Sequence, residues 1–115
     1  DDIVPAAMGI SGLYELEPLR HTSMNQDFRL DAAQARAGSP LLWTSPVGKR
    51  FDAVVGGAES SEFLRQSRVL AEVWGKAGVV TRYTDVPGAD HFTVIEPLTD
   101  PHSDLVARLL ELVPR

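Results

Sequence analysis

Hydrophobic and polar positions follow two rhythms along this chain. Three short segments are apolar without a helical period: IVPAAMGISGLY (residues 3–14), FDAVVGG (51–57) and VVTRYTDV (79–86). Such runs suit strands of a parallel sheet, which is normally covered on both faces. The first reads as a central strand ending near Gly12, with Pro5 confined to its start because proline cannot donate within a sheet. Between the second and third runs the period changes. Phe63, Leu64, Ser67, Leu70, Ala71 and Trp74 recur at helical spacing, so residues 61–76 predict a helix with one mostly apolar stripe. Glu62 falls in its first turn, where a negative charge suits the helix dipole. Gly75 and Gly78 mark its end.

The remaining segments are shorter. LDAAQARAG predicts a brief helix capped by Asp31 and closed by Gly38. ELEPLRHTSMNQDFRL is broken by Pro18 into loop and short helical turns, and SPLLWTSPVGKR, with two prolines, reads as an extended connection. PGADHFTVIEPLTD reads as a loop. Asp100 and Pro101 then predict the start of a final helix, with Leu105, Val106, Leu109, Leu110 and Val113 on one side. The order strand, helix, strand, helix, strand, helix predicts an α/β fold of about three parallel strands with crossover helices. Such a sheet is thin. Its edge beside the first strand is expected to seek a partner strand.

Composition narrows the picture without choosing a function. At 115 residues the chain suits one domain. A net charge of −5, with acids and bases interspersed, argues against nucleic acid or an anionic membrane as partner, since both want a basic face. There is no cysteine, which excludes disulfides and thiolate metal sites and is compatible with a cytoplasmic location. No apolar run approaches the roughly 20 residues that span a bilayer. The chain opens on two aspartates rather than methionine, and the expectation is that it comes from the middle of a longer polypeptide.

Chemistry in open α/β sheets collects at the carboxyl ends of strands. Three candidate positions lie there: Ser11–Gly12, Gly56–Glu59 and Asp90–His91. An acid after one strand and a histidine after the next are the second half of a nucleophile–acid–histidine relay. The acid orients the imidazole, and the imidazole takes the nucleophile's proton. His91 follows a flexible Gly88 and precedes Phe92, which is expected to anchor the loop in the core. Its plain alternative is a capping or surface histidine. Glu59 is equally readable as a solvated carboxylate before a helix. Glu62, Asp85 and Asp90 are rival acids, whereas Asp52 sits at the wrong end of its strand. His21 and His102 read as surface residues. No pair of histidines has helical metal-site spacing, so neither metal nor cofactor is expected. GISGL, residues 9–13, starts like the G-x-S-x-G elbow of a nucleophilic serine but ends in leucine. Pro18 also forbids a prompt helix after it, so Ser11 reads mainly as an ordinary serine at a strand end.

Taken in order, ISGLYELEPL, LDAAQARAGSPLL, VVGGAESSEFLRQSRVLAEVWGKAG and GADHFTVIEPLTDPHSDL resemble the C-terminal part of the kynurenine formamidase (arylformamidase) branch of the α/β-hydrolase fold. The resemblance covers nearly all of this chain, but less than half of a typical family member. It implies that residues 1–115 are the C-terminal part of a single α/β-hydrolase domain. It places the catalytic acid at Glu59, where the family often has aspartate, and the catalytic histidine at His91. The family's nucleophile lies in an elbow upstream of the SGLYELEPL strand, after an H-G-G oxyanion loop, and neither occurs here. By this correspondence Ser11 is not the nucleophile.

The implied activity of the parent enzyme is serine-hydrolase cleavage of an aryl formamide, N-formylkynurenine, to kynurenine and formate. A small-molecule carboxylesterase of the same fold is the alternative, and a non-catalytic fragment that pairs with a missing half or with itself is another. The implied partners are a small formamide or ester and the N-terminal half of the fold. The chain alone is expected to be inactive.

Overall fold

The strand FDAVV is buried on both sides because it lies between the other two. The computed structural model describes residues 3–113; Asp1, Asp2, Pro114 and Arg115 lie outside the described residues. Strands β1 (Ala6–Ile10), β2 (Arg50–Gly56) and β3 (Val80–Val86) form one parallel sheet in the order β1-β2-β3. Among the described residues β2 is therefore the central strand. β1, expected to be central, is paired on one side only and is less thoroughly buried than β2. Register pairs Ala6 with Arg50 and Ile10 with Val54 across one ladder, and Arg50 with Val80 and Gly56 with Val86 across the other. The carboxyl ends of β2 and β3 are thereby brought level, while β1 ends opposite Val54.

Side chains alternate across the pleat of β2. Phe51 faces the helix α3 (Ser61–Lys76), where it packs with Tyr14, Leu70, Trp74 and Val79. The Phe51 ring meets both Tyr14 and Trp74 edge-on, with centroids 5.9 and 5.3 Å apart. Val54 faces the other way, toward Val94 and Leu105. α3 spans the residues its apolar spacing predicts.

Two short helices, α1 (Asn25–Phe28) and α2 (Ala32–Ala37), occupy the β1–β2 connection, with a 3-10 turn at Pro40–Leu42 where an extended segment was expected. Asp31 caps α2 and Gln34 reciprocates, a capping box. The segment after β3, expected as a loop, contains a 3-10 helix at Thr93–Thr99.

The final helix, α4 (Asp104–Leu112), starts later than expected. Ser103 is its cap, accepting the Val106 N–H, while Asp100 holds the preceding turn through the His102 N–H. Its inner face also differs from the apolar stripe. Leu105 and Leu112 are buried, whereas Leu109, Leu110 and Val113 are exposed. The reason is Arg108. It reaches Asp52 through two hydrogen bonds, one from Nη2 to Oδ1 at 2.9 Å and one from Nε to Oδ2. A buried carboxylate on β2 thus selects residues 105, 108 and 112 as the side of α4 that faces the sheet.

Candidate active site

β2 ends at Gly56, and a close approach explains the glycine. A Cβ there would lie 2.3 Å from the Ala89 carbonyl oxygen, so the β3–α4 connection lies directly over the strand end. The two loops are laced by backbone hydrogen bonds. Gly57 N–H donates to Val86 at 2.8 Å and Ala58 N–H to Ala89 at 2.9 Å. Glu59 sits at the tip of this turn, its own N–H bonded to the Gly56 carbonyl at 3.1 Å. Its side chain folds back inward and is 1% exposed.

The opposing loop turns at Gly88, whose φ of +72° lies in the left-handed region. Asp90 braces it: Oδ1 accepts the N–H groups of Phe92 at 2.9 Å and Thr93 at 2.8 Å, and the Thr93 hydroxyl at 3.0 Å. Asp90 is thus an Asx-type turn former rather than a rival acid. Val94, 1% exposed, anchors the loop in the core. Phe92, expected to be the anchor, is 80% exposed instead.

Between these loops His91 Nδ1 lies 2.7 Å from Glu59 Oε1. The other carboxylate oxygen, Oε2, accepts the Gly56 N–H at 2.6 Å and the Ser11 hydroxyl. Burial raises the Glu59 pKa and is the largest single influence, but the hydrogen bonds from Ser11, Gly56 and His91, with the imidazole's charge, together hold it below its ordinary value. An ionised carboxylate can only accept. Nδ1 must therefore carry the proton, which leaves the lone pair of the neutral ring on Nε2.

The imidazole packs against Phe63 on one side, with ring centroids 4.9 Å apart, and meets Phe92 edge-on at 5.7 Å. Its side chain is half-exposed. It borders an open hollow of about 260 Å³ lined by Glu59, Ser60, Phe63, Asp90, His91 and Phe92. A buried, ionised acid behind a histidine with one free nitrogen at a hollow can lift a proton from a hydroxyl and return it to a leaving group.

The remaining candidates lie elsewhere. Glu62 is engaged by Arg65, at 2.9 and 2.7 Å, and by Gln66 at 2.8 Å. Asp52 is held by Arg108. Asp85 is exposed and borders a separate hollow between β3 and α4. His21 is exposed, 3.6 Å from Glu17, and His102 is exposed as well. The described residues contain no group of three or more histidine, aspartate or glutamate side chains able to hold a metal ion, and no helix long and apolar enough to cross a membrane.

The glycines of GISGL have a different purpose from an elbow. A Cβ at Gly9 or Gly12 would lie 2.3 and 2.4 Å from atoms of the Tyr14 side chain, so both make room for that ring. The Tyr14 hydroxyl is buried without a hydrogen-bond partner among the described residues, and burial pushes its pKa up to about 12.

Sequence reasoning missed Gln66. Its amide accepts the N–H groups of Tyr14 and Glu15 at 2.7 and 2.9 Å and donates to the Glu15 carbonyl at 2.9 Å, tying the segment after β1 to α3. The available signal was a polar residue on the buried face, one turn from both Phe63 and Leu70.

No family model matches the chain. Among characterised proteins it is 29% identical to a kynurenine formamidase of Danio rerio, a match covering 97% of this chain and 41% of the relative. It is 31% identical to a kynurenine formamidase of Drosophila melanogaster over 89% of this chain and 35% of the relative. The chain therefore spans about two fifths of the length of the curated relatives it matches. Among solved structures, a Silicibacter sp. protein assigned as a thioesterase superposes with a TM-score of 0.79 at 41% identity, over 89% of this chain and 37% of that one. Esterase 2 of Thermogutta terrifontis superposes with a TM-score of 0.63 at 17% identity, over 96% of this chain and 44% of that one, a likeness of fold alone.

Proposed function

We propose that this chain, which has the α/β-hydrolase fold and is similar to kynurenine formamidases along nearly its whole length, is the C-terminal part of a serine-hydrolase domain and supplies its acid and its general base. The observation that carries the reading is the Glu59–His91 pair. A carboxylate 1% exposed faces an imidazole nitrogen at 2.7 Å, at the carboxyl end of the sheet and beside an open hollow.

In this reading a serine from the rest of the domain attacks the carbonyl carbon of a small formamide or ester. His91 Nε2 takes the serine proton as the C–O bond forms. The imidazolium is stabilised by Glu59 and returns the proton to the leaving amine or alcohol as its bond to carbon breaks. Water then attacks the acyl-enzyme with His91 again as base. The serine leaves with the returned proton, and the acid is released, formate when the acyl group is formyl. By similarity to the kynurenine formamidases the substrate is N-formylkynurenine and the product kynurenine. Cytoplasmic residence, suited to a sequence without cysteine, belongs to the same proposal.

The test is turnover of N-formylkynurenine by the full-length protein, followed by the absorbance of kynurenine, with 4-nitrophenyl acetate as a parallel substrate. Kynurenine formation supports the formamidase reading. Ester cleavage alone assigns a carboxylesterase. Failure with both would overturn a hydrolase of small acyl compounds.

A further inference from the structure

Ser11 lies just past the end of β1, and its φ of +49° is in the left-handed region, uncommon for a residue with a side chain. Its N–H donates to the Val54 carbonyl at 2.8 Å, which carries the β1–β2 ladder one residue further. It is 8% exposed, and its hydroxyl donates to Glu59 Oε2. The nucleophile of a relay would meet the imidazole; Ser11 meets the carboxylate, on the oxygen His91 does not use.

We propose that Ser11 is a positioning residue for Glu59: with the Gly56 N–H it holds Oε2, so that Oε1 alone is presented to His91. The proposal rests on the reading of Glu59 and His91 as a relay. Donors from two neighbouring strand ends converge on one oxygen, Gly56 from β2 and Ser11 from β1. A carboxylate held by one oxygen alone can rotate about its terminal torsion, which is broad. With Oε2 held, rotation would break two hydrogen bonds, so the acid keeps its orientation throughout the proton transfer. The donated hydroxyl also favours the charged form of Glu59, which must stay ionised to stabilise the imidazolium.

The left-handed backbone supplies the test. Glycine accepts that conformation without strain, so Ser11→Gly removes the hydroxyl and relieves the backbone together. Alanine removes the hydroxyl and keeps the strain. In the full-length protein, with 4-nitrophenyl acetate as the probe, both variants are expected to lower kcat about 100-fold with little change in KM. Ser11→Gly should retain the parent's melting temperature or exceed it. Both should also move the acid limb of the kcat profile to higher pH, because the Glu59 pKa rises when the Ser11 hydrogen bond that lowers it is lost. Added to Glu59→Gln, Ser11→Gly should change kcat little further, since the two act as a unit.

Parent-like kcat and an unchanged acid limb in Ser11→Gly would overturn the positioning role, as would a loss that follows melting temperature across the two variants. His91→Ala in the same protein separates the two readings. If it abolishes turnover while Ser11→Gly does not affect it, only the role of Ser11 fails. If His91→Ala turns over normally, the relay itself fails.

Discussion

The two carboxylates of β2 and its following turn have opposite fates. Asp52 lies within the strand, 2% exposed, and both its oxygens are taken by a guanidinium that is charged at any ordinary pH. Glu59 lies past the strand's carboxyl end. It is equally buried, but its partner is a half-exposed imidazole, a group able to accept and release a proton. Burial alone does not distinguish a structural acid from a functional one. The partner does, together with access to solvent. Arg108 closes the first site and pins α4 to the sheet, whereas His91 leaves a nitrogen open at a hollow.

Replacing each partner in the full-length protein should therefore separate catalysis from stability. The largest expected effect is that of His91→Ala, which should lower kcat on the order of 10⁴-fold with a small change in melting temperature, measured by hydrolysis and calorimetry together. Glu59→Gln should cost on the order of 10³-fold in kcat, because an amide in the acid's place can stabilise the wrong imidazole tautomer, and less than loss of the base, because the imidazole remains. Asp52→Ala should reverse the pattern. It strands the Arg108 guanidinium at the sheet and should destabilise by about 3 kcal/mol in urea unfolding, with kcat retained in the folded fraction. A selective loss of kcat in Asp52→Ala would break the contrast.

Gly56→Ala joins the two columns. Its Cβ would collide with the Ala89 carbonyl, pushing the histidine loop off the strand end, at a cost of about 1–3 kcal/mol and with a parallel loss of kcat.

The smallest expected effect is one of pH. Hydrogen bonds lower the folded-state pKa of Glu59 from its ordinary value of 4.5. Its contribution to stability is therefore complete above that value and is lost as pH falls through the lowered one. The melting-temperature difference between the parent and Glu59→Gln should shift below about pH 5, as Glu59 of the parent takes up a proton. A difference that does not change below about pH 5 would mean that Glu59 is not the carboxylate whose ionisation is linked to folding.

Much of this was legible in the residue order, and the misses have physical causes. The β-branched run of β3 and the spacing of Leu70 and Trp74 decide strand and helix locally. The rule that chemistry gathers at strand ends makes Glu59 and His91 candidates among several, and the family resemblance singles them out. The face of α4 is hidden from local pattern because an arginine counts as polar until its buried partner, 56 residues away, is known. An aromatic side chain predicts an anchor at Phe92, yet the smaller Val94 reaches the core and Phe92 borders the imidazole. The Ser11 hydroxyl depends on a left-handed backbone and on a contact across 48 residues, and neither leaves a mark on local pattern.

The most direct test is the protonation of one ring. In ¹⁵N-labelled full-length protein with a neutral imidazole, His91 is expected to carry its proton on Nδ1, seen as a downfield resonance that disappears in Glu59→Gln. A proton on Nε2, or an Nδ1 signal indifferent to Glu59, would contradict the pairing from which the function is argued.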